Sequence, residues 1–273
     1  MRQQSSLSRS SLARLLGSVA VTAVLAVGLG GCQTMSDITG SLASKTEPNP
    51  ETDARRAVEV YGERYRANPK DPNAALAYGQ ALRATGQRSQ AAAVLEQATI
   101  AHPGNKALLA GYGRALVDNG NFQQAFDILS RAHSPDNPDW RILSVQGTAL
   151  DQLGKHDEAR RYYASALKIM PDEPSVLSNL GLSYVLSGDL PKAEEVLRQA
   201  YGSGKADARV RQNLGLVVGL QGRFAEAETI VKADLPADEA AANVAYLKQM
   251  LSRRDNPRGG SARVPVAALN RPD

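Results

Sequence analysis

Hydrophobic and polar positions along this chain recur with a step of 34 residues. Leu82, Leu116, Leu150, Tyr184 and Val218 hold one phase of the repeat, and Leu95, Leu129, Tyr163, Leu197 and Val231 hold another. Glycine keeps the same step at Gly79, Gly113, Gly147, Gly181 and Gly215, and again at Gly86, Gly120, Gly154, Gly188 and Gly222. Alanine follows at Ala91, Ala125, Ala159, Ala193 and Ala227. With 23 glycines in 273 residues, ten in phase are not a coincidence. Each period divides at its second glycine into two segments of helical length, A and B, each with an apolar stripe. The spacing therefore predicts five helix pairs, over 72–105, 106–139, 140–173, 174–207 and 208–241. A unit this small cannot bury its stripe alone, so the units must stack.

A glycine inside a helix costs roughly 0.5–1 kcal/mol relative to alanine. Its recurrence at Gly79 and its equivalents marks a place where helix A meets helix B, and the alanine series keeps the other helix small at the crossing. Asp71 and Pro72 supply an N-cap and a first-turn proline, while Pro103 and Pro171 close the helix before them. Residues 53–67, followed by Pro69, hold the phase of a helix B, with Ala57 and Tyr61 at the alanine and aromatic places. Residues 53–71 thus read as a degenerate first repeat. Glu239 to Arg253 forms an amphipathic helix, with Val244, Leu247 and Leu251 on one side, suited to cap the stack. Residues 255–273 read as a disordered tail.

The pattern resembles the tetratricopeptide repeat (TPR) family. Its signature stands here as Tyr78-Gly79, Leu82, Gly86, Ala91, Leu95, Ala98 and Pro103, and again as Gly147, Leu150, Gly154, Ala159, Tyr163, Ala166 and Pro171. The second unit has Asn137 in place of the final proline, and the last two have Lys205 and Glu239. The resemblance implies an all-α fold, a TPR solenoid of antiparallel helix pairs forming a right-handed superhelix whose A helices line the concave face.

The N-terminus reads as an address. Residues 1–14 are polar and basic, and Leu15 to Leu29 form an uncharged apolar run. Fifteen helical residues reach about 22 Å, short of the ~30 Å hydrocarbon core, so a removed signal peptide over 1–31 is preferred to a retained span. Leu29-Gly30-Gly31-Cys32 resembles the bacterial lipobox, which implies acylation of Cys32 and a membrane anchor. Gln33 rather than Asp follows the cysteine, a pattern similar to outer-membrane delivery, with the protein on the periplasmic face. Residues 32–52 are rich in Ser, Thr and Pro and read as the acylated cysteine with a flexible tether.

Composition narrows the chemistry. The single cysteine excludes a disulfide framework or thiolate metal cluster, and three histidines cannot easily build a metal centre, so neither metal nor cofactor is expected. The formal charge is +4, but Arg2, Arg9 and Arg14 lie in the leader, and without them the chain is nearly neutral, which argues against a nucleic-acid partner. His102, His133 and His156 fall in turns or at helix ends and read as solvated. Gly202-Ser203-Gly204-Lys205 lacks the rest of a phosphate loop, and Gly111-Tyr112-Gly113 lies within a repeat helix. Glu194 and Glu195 diverge on a helix and read as a solvated face. The chain reads as a non-enzyme.

What remains is a binding surface. On a helical wheel the A-helix positions opposite the packing stripe include Arg83, Arg114, Asp118, Asp151, Leu182, Val185, Leu186, Leu216 and Leu220, the candidate partner-binding groove. The first three units offer mixed charge. The last two offer Leu182, Val185, Leu186, Leu216 and Leu220, an apolar strip suited to an amphipathic partner helix, unless the capping helix covers it as core. The clamp that some TPR proteins use for a peptide carboxylate needs lysine where Ser178 and Gln212 stand, beside Asn179 and Asn213. Trp140 is an anchor candidate, or a packing residue at the repeat boundary.

The arrangement of the chain carries a narrower resemblance. The degenerate unit ending Tyr61-Gly62-Glu63-Arg64-Tyr65-Arg66-Ala67-Asn68-Pro69 and the run from Ala208 to Phe224 are similar to the TPR lipoproteins of the tight-adherence (Tad/Flp) pilus assembly machinery. That resemblance implies a lipid-anchored periplasmic adaptor whose partners are the pilus secretin or other Tad components, with a part in secretin localisation or assembly. A general outer-membrane or cell-wall assembly adaptor shares every physical feature above and stays open beside it.

Overall fold

The computed structural model describes residues 50–255. The expected signal peptide over 1–31, Cys32, nearly all of the expected tether and the expected tail beyond Asp255 lie outside them. Among the described residues all regular elements are helices: α1 (Pro50–Ala67), α2 (Pro72–Ala84), α3 (Arg88–Ala101), α4 (Lys106–Asp118), α5 (Phe122–Ala132), α6 (Trp140–Gln152), α7 (His156–Ile169), α8 (Pro174–Leu186), α9 (Leu190–Gly202), α10 (Ala208–Leu220), α11 (Phe224–Val231) and α12 (Ala237–Asp255). They fall into two compact units, one ending at Pro171 and the other beginning at Asp172.

In the first unit, α2, α4 and α6 are the A helices and α3, α5 and α7 the B helices. Each pair is closed by a short turn through a glycine such as Gly86, whose φ of +74° lies in the left-handed region that a side chain disfavours. Asp71, Asn105 and Asp139 cap the three A helices through their side chains, accepting the backbone N–H of Asn73, Leu108 and Arg141. Successive A helices pack on each other, α2 on α4 and α4 on α6, so pairs stack in series within the unit. The core runs through Tyr78, Leu82, Leu95, Leu108, Tyr112 and Leu116, and α1 closes its end with Val58, Tyr61 and Tyr65. The rings of Tyr65 and Tyr78 stack with centroids 5.6 Å apart.

The in-phase glycines have a different partner from the one the sequence pointed to. A Cβ placed on Gly79 would lie 2.6 Å from Leu95 Cγ, and Gly147 meets Tyr163 in the same way. The space left by the glycine is filled by the large apolar residue four positions beyond the alanine of helix B. Ala91 and Ala159 are fully buried beside these contacts. The small residue on one helix and the large one on the other form a knob and its socket rather than a meeting of two small surfaces.

The second unit repeats the plan. Gly181 on α8 receives Leu197 of α9, with a Cβ-to-Cγ separation of 2.6 Å for an added Cβ. The last helix, α12, packs on both α10 and α11. At the α10 contact, a Cβ on Gly219 would stand 2.6 Å from Leu247 Cδ2, so α12 occupies the place of a further A helix. Arg211 at the start of α10 makes a two-pronged ion pair with Asp234 after α11, which ties the ends of that pair together. Arg211 holds the Asp234 carboxyl below the usual range, against the opposing effect of burial.

Candidate functional site

The A-helix face of the first unit carries the charged candidates. Arg83 Nε on α2 donates to Asp118 Oδ2 on α4 at 2.6 Å, a bond that spans two neighbouring A helices. Both side chains stay partly open, at 25% and 33% exposure, so this pair remains on the surface the helices present. Arg114, one turn earlier on α4, is half-buried, and no hydrogen bond or ion pair joins it to another described residue. Burial, and then the charge of Arg83, hold its guanidinium below the ordinary arginine range; Asp139 opposes this and Arg141 adds to it. Arg141 follows Trp140 at the start of α6, and its guanidinium carbon lies 4.4 Å from the indole centroid, a cation–π contact.

Asp151 is not part of that face. It is 6% exposed, accepts the Tyr163 hydroxyl on Oδ2 at 2.9 Å, and meets His156 Nδ1 with Oδ1 at 2.9 Å. The aspartate serves the buried seam between α6 and α7. Burial and the neighbouring carboxylate push the Tyr163 phenol well above its usual range. Val185, 34 positions further on, is likewise buried at 3% exposure, and the next equivalent, Gly219, lies under Leu247. This helical position turns toward the interior as the series proceeds. The wheel drawn at 100° per residue placed Asp151 and Val185 opposite the packing stripe, but Tyr163 and His156 of α7 reach Asp151 and Leu247 of α12 reaches Gly219.

In the second unit Leu182 and Leu186 on α8, and Leu216 and Leu220 on α10, are half-buried. They stand on the two A helices of that unit, which pack side by side. The capping helix reaches α10 through Leu247, at the residue next to Leu220. Asn213 Nδ2 donates to Ser178 Oγ at 2.8 Å, so the asparagine beside the missing clamp lysine is held by its neighbouring helix.

Several residues read as solvated have structural employment. His102 Nε2 lies 2.8 Å from the Lys70 carbonyl oxygen, and His133 Nε2 lies 3.1 Å from Gln146 Oε1. His156 keeps only 17% of its side chain exposed beside Asp151. Glu194 joins α9 to α10 and α11 by accepting from Arg198, Gln221 and Arg223. Burial raises its carboxyl, but those hydrogen bonds outweigh it and leave the group below its ordinary range. Glu195, by contrast, is exposed and pairs at 3.8 Å with Lys192.

Gly111 had no place in the repeat pattern. A Cβ there would lie 2.6 Å from Leu76 Cδ1, so it sets the close approach of α4 to α2. Sequence reasoning also passed over Arg141 and Asp139, whose signal was their position at the start of an A helix, beside the Trp140 it did single out. Among the described residues no group of three or more His, Cys, Asp and Glu side chains could hold a metal ion, and no helix is long and apolar enough to cross a membrane.

Comparison with known proteins follows the geometry. Three tetratricopeptide repeat models match residues 84–146, 141–206 and 178–243. No curated protein matches. Among solved structures, the chain is similar to that of PilW, a widely conserved type IV pilus biogenesis factor, at 19% identity and a TM-score of 0.61, covering 71% of this chain and 92% of that one. A tetratricopeptide repeat protein from Parabacteroides merdae ATCC 43184 aligns at 15% identity and a TM-score of 0.60, over 74% of this chain and 78% of its own. The APC/C hetero-tetramer Cut9-Hcn1 gives 17% identity and a TM-score of 0.60 over 76% of this chain, which spans 41% of that chain. At these identities the likeness is one of fold.

Proposed function

Because the chain is a tetratricopeptide-repeat protein, a scaffold for protein–protein interaction, we propose that it is a lipid-anchored periplasmic adaptor of Tad/Flp pilus assembly, engaging its partners through its A-helix faces. The observation that carries the binding reading is the set Leu182, Leu186, Leu216 and Leu220. Four leucines on two adjacent A helices remain only half-buried after the unit has folded. Apolar surface kept in contact with water is costly at roughly 25 cal/mol per Å², and a strip of this kind on helices is the seat of an amphipathic partner helix.

The pilus assignment is supported by the residues around Tyr61 to Pro69 and Ala208 to Phe224, which resemble the Tad/Flp lipoproteins. The fold shared with PilW accords with it without adding to it. Cys32 is the proposed acylation site; three acyl chains there would exceed the two-signal requirement for stable membrane binding. The proposed location is the periplasmic face of the outer membrane, and the proposed partners are the secretin or other Tad components.

The test is mass spectrometry of proteins crosslinked to the full chain after mild detergent extraction, with Cys32→Ala as comparison. Enrichment of the secretin or other pilus components, and release of the variant from the membrane, is the expected result. Enrichment of barrel-assembly or cell-wall proteins instead would replace the pilus reading by a general envelope adaptor.

A further inference from the structure

Across α2, α4 and α6 the structure gathers three arginines and two aspartates whose mutual pairing leaves one cation over. Asp118 is taken by Arg83 at 2.6 Å. Asp139 caps α6 with Oδ1 on the amide of Arg141 at 2.8 Å, and its charge, which that amide does not neutralise, partly offsets the repulsion that Arg114 receives from Arg83 and Arg141. Arg141 lies against the indole of Trp140. Arg114, half-buried one turn before Asp118 on α4, has five N–H donors and feels the charges of Arg83, Asp139 and Arg141, with no hydrogen bond or ion pair to a described residue. A guanidinium withdrawn from water without an acceptor is costly, and an incoming carboxylate would relieve both the lost hydration and the repulsion from Arg83 and Arg141.

We propose that Arg114 is the seat for an aspartate or glutamate side chain of a partner protein laid across α2, α4 and α6. This deepens the binding reading above and rests on it. One planar fork takes one carboxylate in two parallel hydrogen bonds. A side-chain carboxylate can make them while the partner segment continues across α2, α4 and α6, whereas a chain terminus would end the segment there.

The full chain, labelled with ¹⁵N at arginine Nε, is titrated with an acetylated and amidated peptide of alternating glutamate and serine. The same peptide with glutamine for glutamate, and the glutamine peptide with a free C-terminus, are run beside it. The expected result is a saturable shift of the Arg114 Nε–Hε signal with the glutamate peptide alone, weakened by salt. Binding falls at least tenfold in Arg114→Gln and is partly kept in Arg114→Lys, which preserves the charge should the glutamine variant fold poorly.

No shift, an equal shift with the amidated glutamine peptide, or unaltered affinity in Arg114→Gln overturns the proposal. A response confined to the free C-terminus overturns it in favour of a terminal carboxylate. The leucine strip is carried by α8 and α10, so partner capture by crosslinking reads the parent proposal independently. Loss of the peptide response with capture intact removes the arginine seat alone, whereas loss of partner capture removes the binding reading itself.

Discussion

Leu95 sits in the space where Gly79 has no side chain, so close that an added Cβ would come within 2.6 Å of its Cγ and 2.7 Å of its Cδ1. The two residues belong to α2 and α3, and their contact sets the distance between the helices of the first complete repeat. Gly79→Ala would gain roughly 0.5–1 kcal/mol of helix propensity. Against this, overpacking a filled core typically costs about 1–3 kcal/mol. Leu95 is fully buried and cannot swing away. The expected outcome is a net loss of about 1–2 kcal/mol, read as a lower urea midpoint at unchanged slope. A midpoint equal to or above that of the parent protein would show that the helices separate without cost.

Asp151 accepts the hydroxyl of Tyr163, which is 1% exposed, and stands beside His156. Asp151→Ala leaves a buried phenol without this acceptor, at a cost of about 1–3 kcal/mol. The paired change Tyr163→Phe in the Asp151→Ala background should recover part of that loss. Thermal unfolding measures both. If the aspartate instead served a partner at the surface, its removal would weaken binding while leaving the melting temperature where it was.

Tyr112 is 3% exposed, donates its hydroxyl to Glu96 at 3.0 Å, and has its phenol pushed up to about 12, chiefly by burial and then by Glu96. The folded state therefore keeps the proton that the unfolded chain releases near pH 10. The stability this confers is complete below about pH 10 and is lost as pH rises through about 12, amounting to on the order of 2 kcal/mol. Urea unfolding of Tyr112→Phe between pH 9 and about 12 should show a shallower decline than the parent chain. Equal slopes would place the phenol in water. Tyr163, raised by burial too, accounts for part of the remaining slope.

The helix pairs were legible because the repeat imposes the same demand five times: a glycine socket, a buried alanine and a positive-φ turn recur where helix A and helix B must meet. What faces solvent was less legible. A helical wheel separates inside from outside by angle alone, and Asp151 and Val185 fell on the wrong side: Tyr163 and His156 arrive on Asp151 from α7, and Val185 is buried at 3% exposure. Glu194 shows the same limit. Its pairing with Arg198 is local and readable at a spacing of four, whereas Arg223 reaches it from across a repeat boundary. The arginine surplus around Arg114 likewise depends on which aspartate each neighbour takes, a matter of packed geometry rather than of spacing.

The central claim is that the leucine strip on α8 and α10 holds the partner. Its most direct test is crosslinking capture by the full chain carrying Leu182→Asp and Leu216→Asp together, with circular dichroism of the same sample. Both side chains are half-buried, so helicity is the control for folding. The account predicts retained helicity and loss of the captured partner. Undiminished capture by the folded double variant would contradict it.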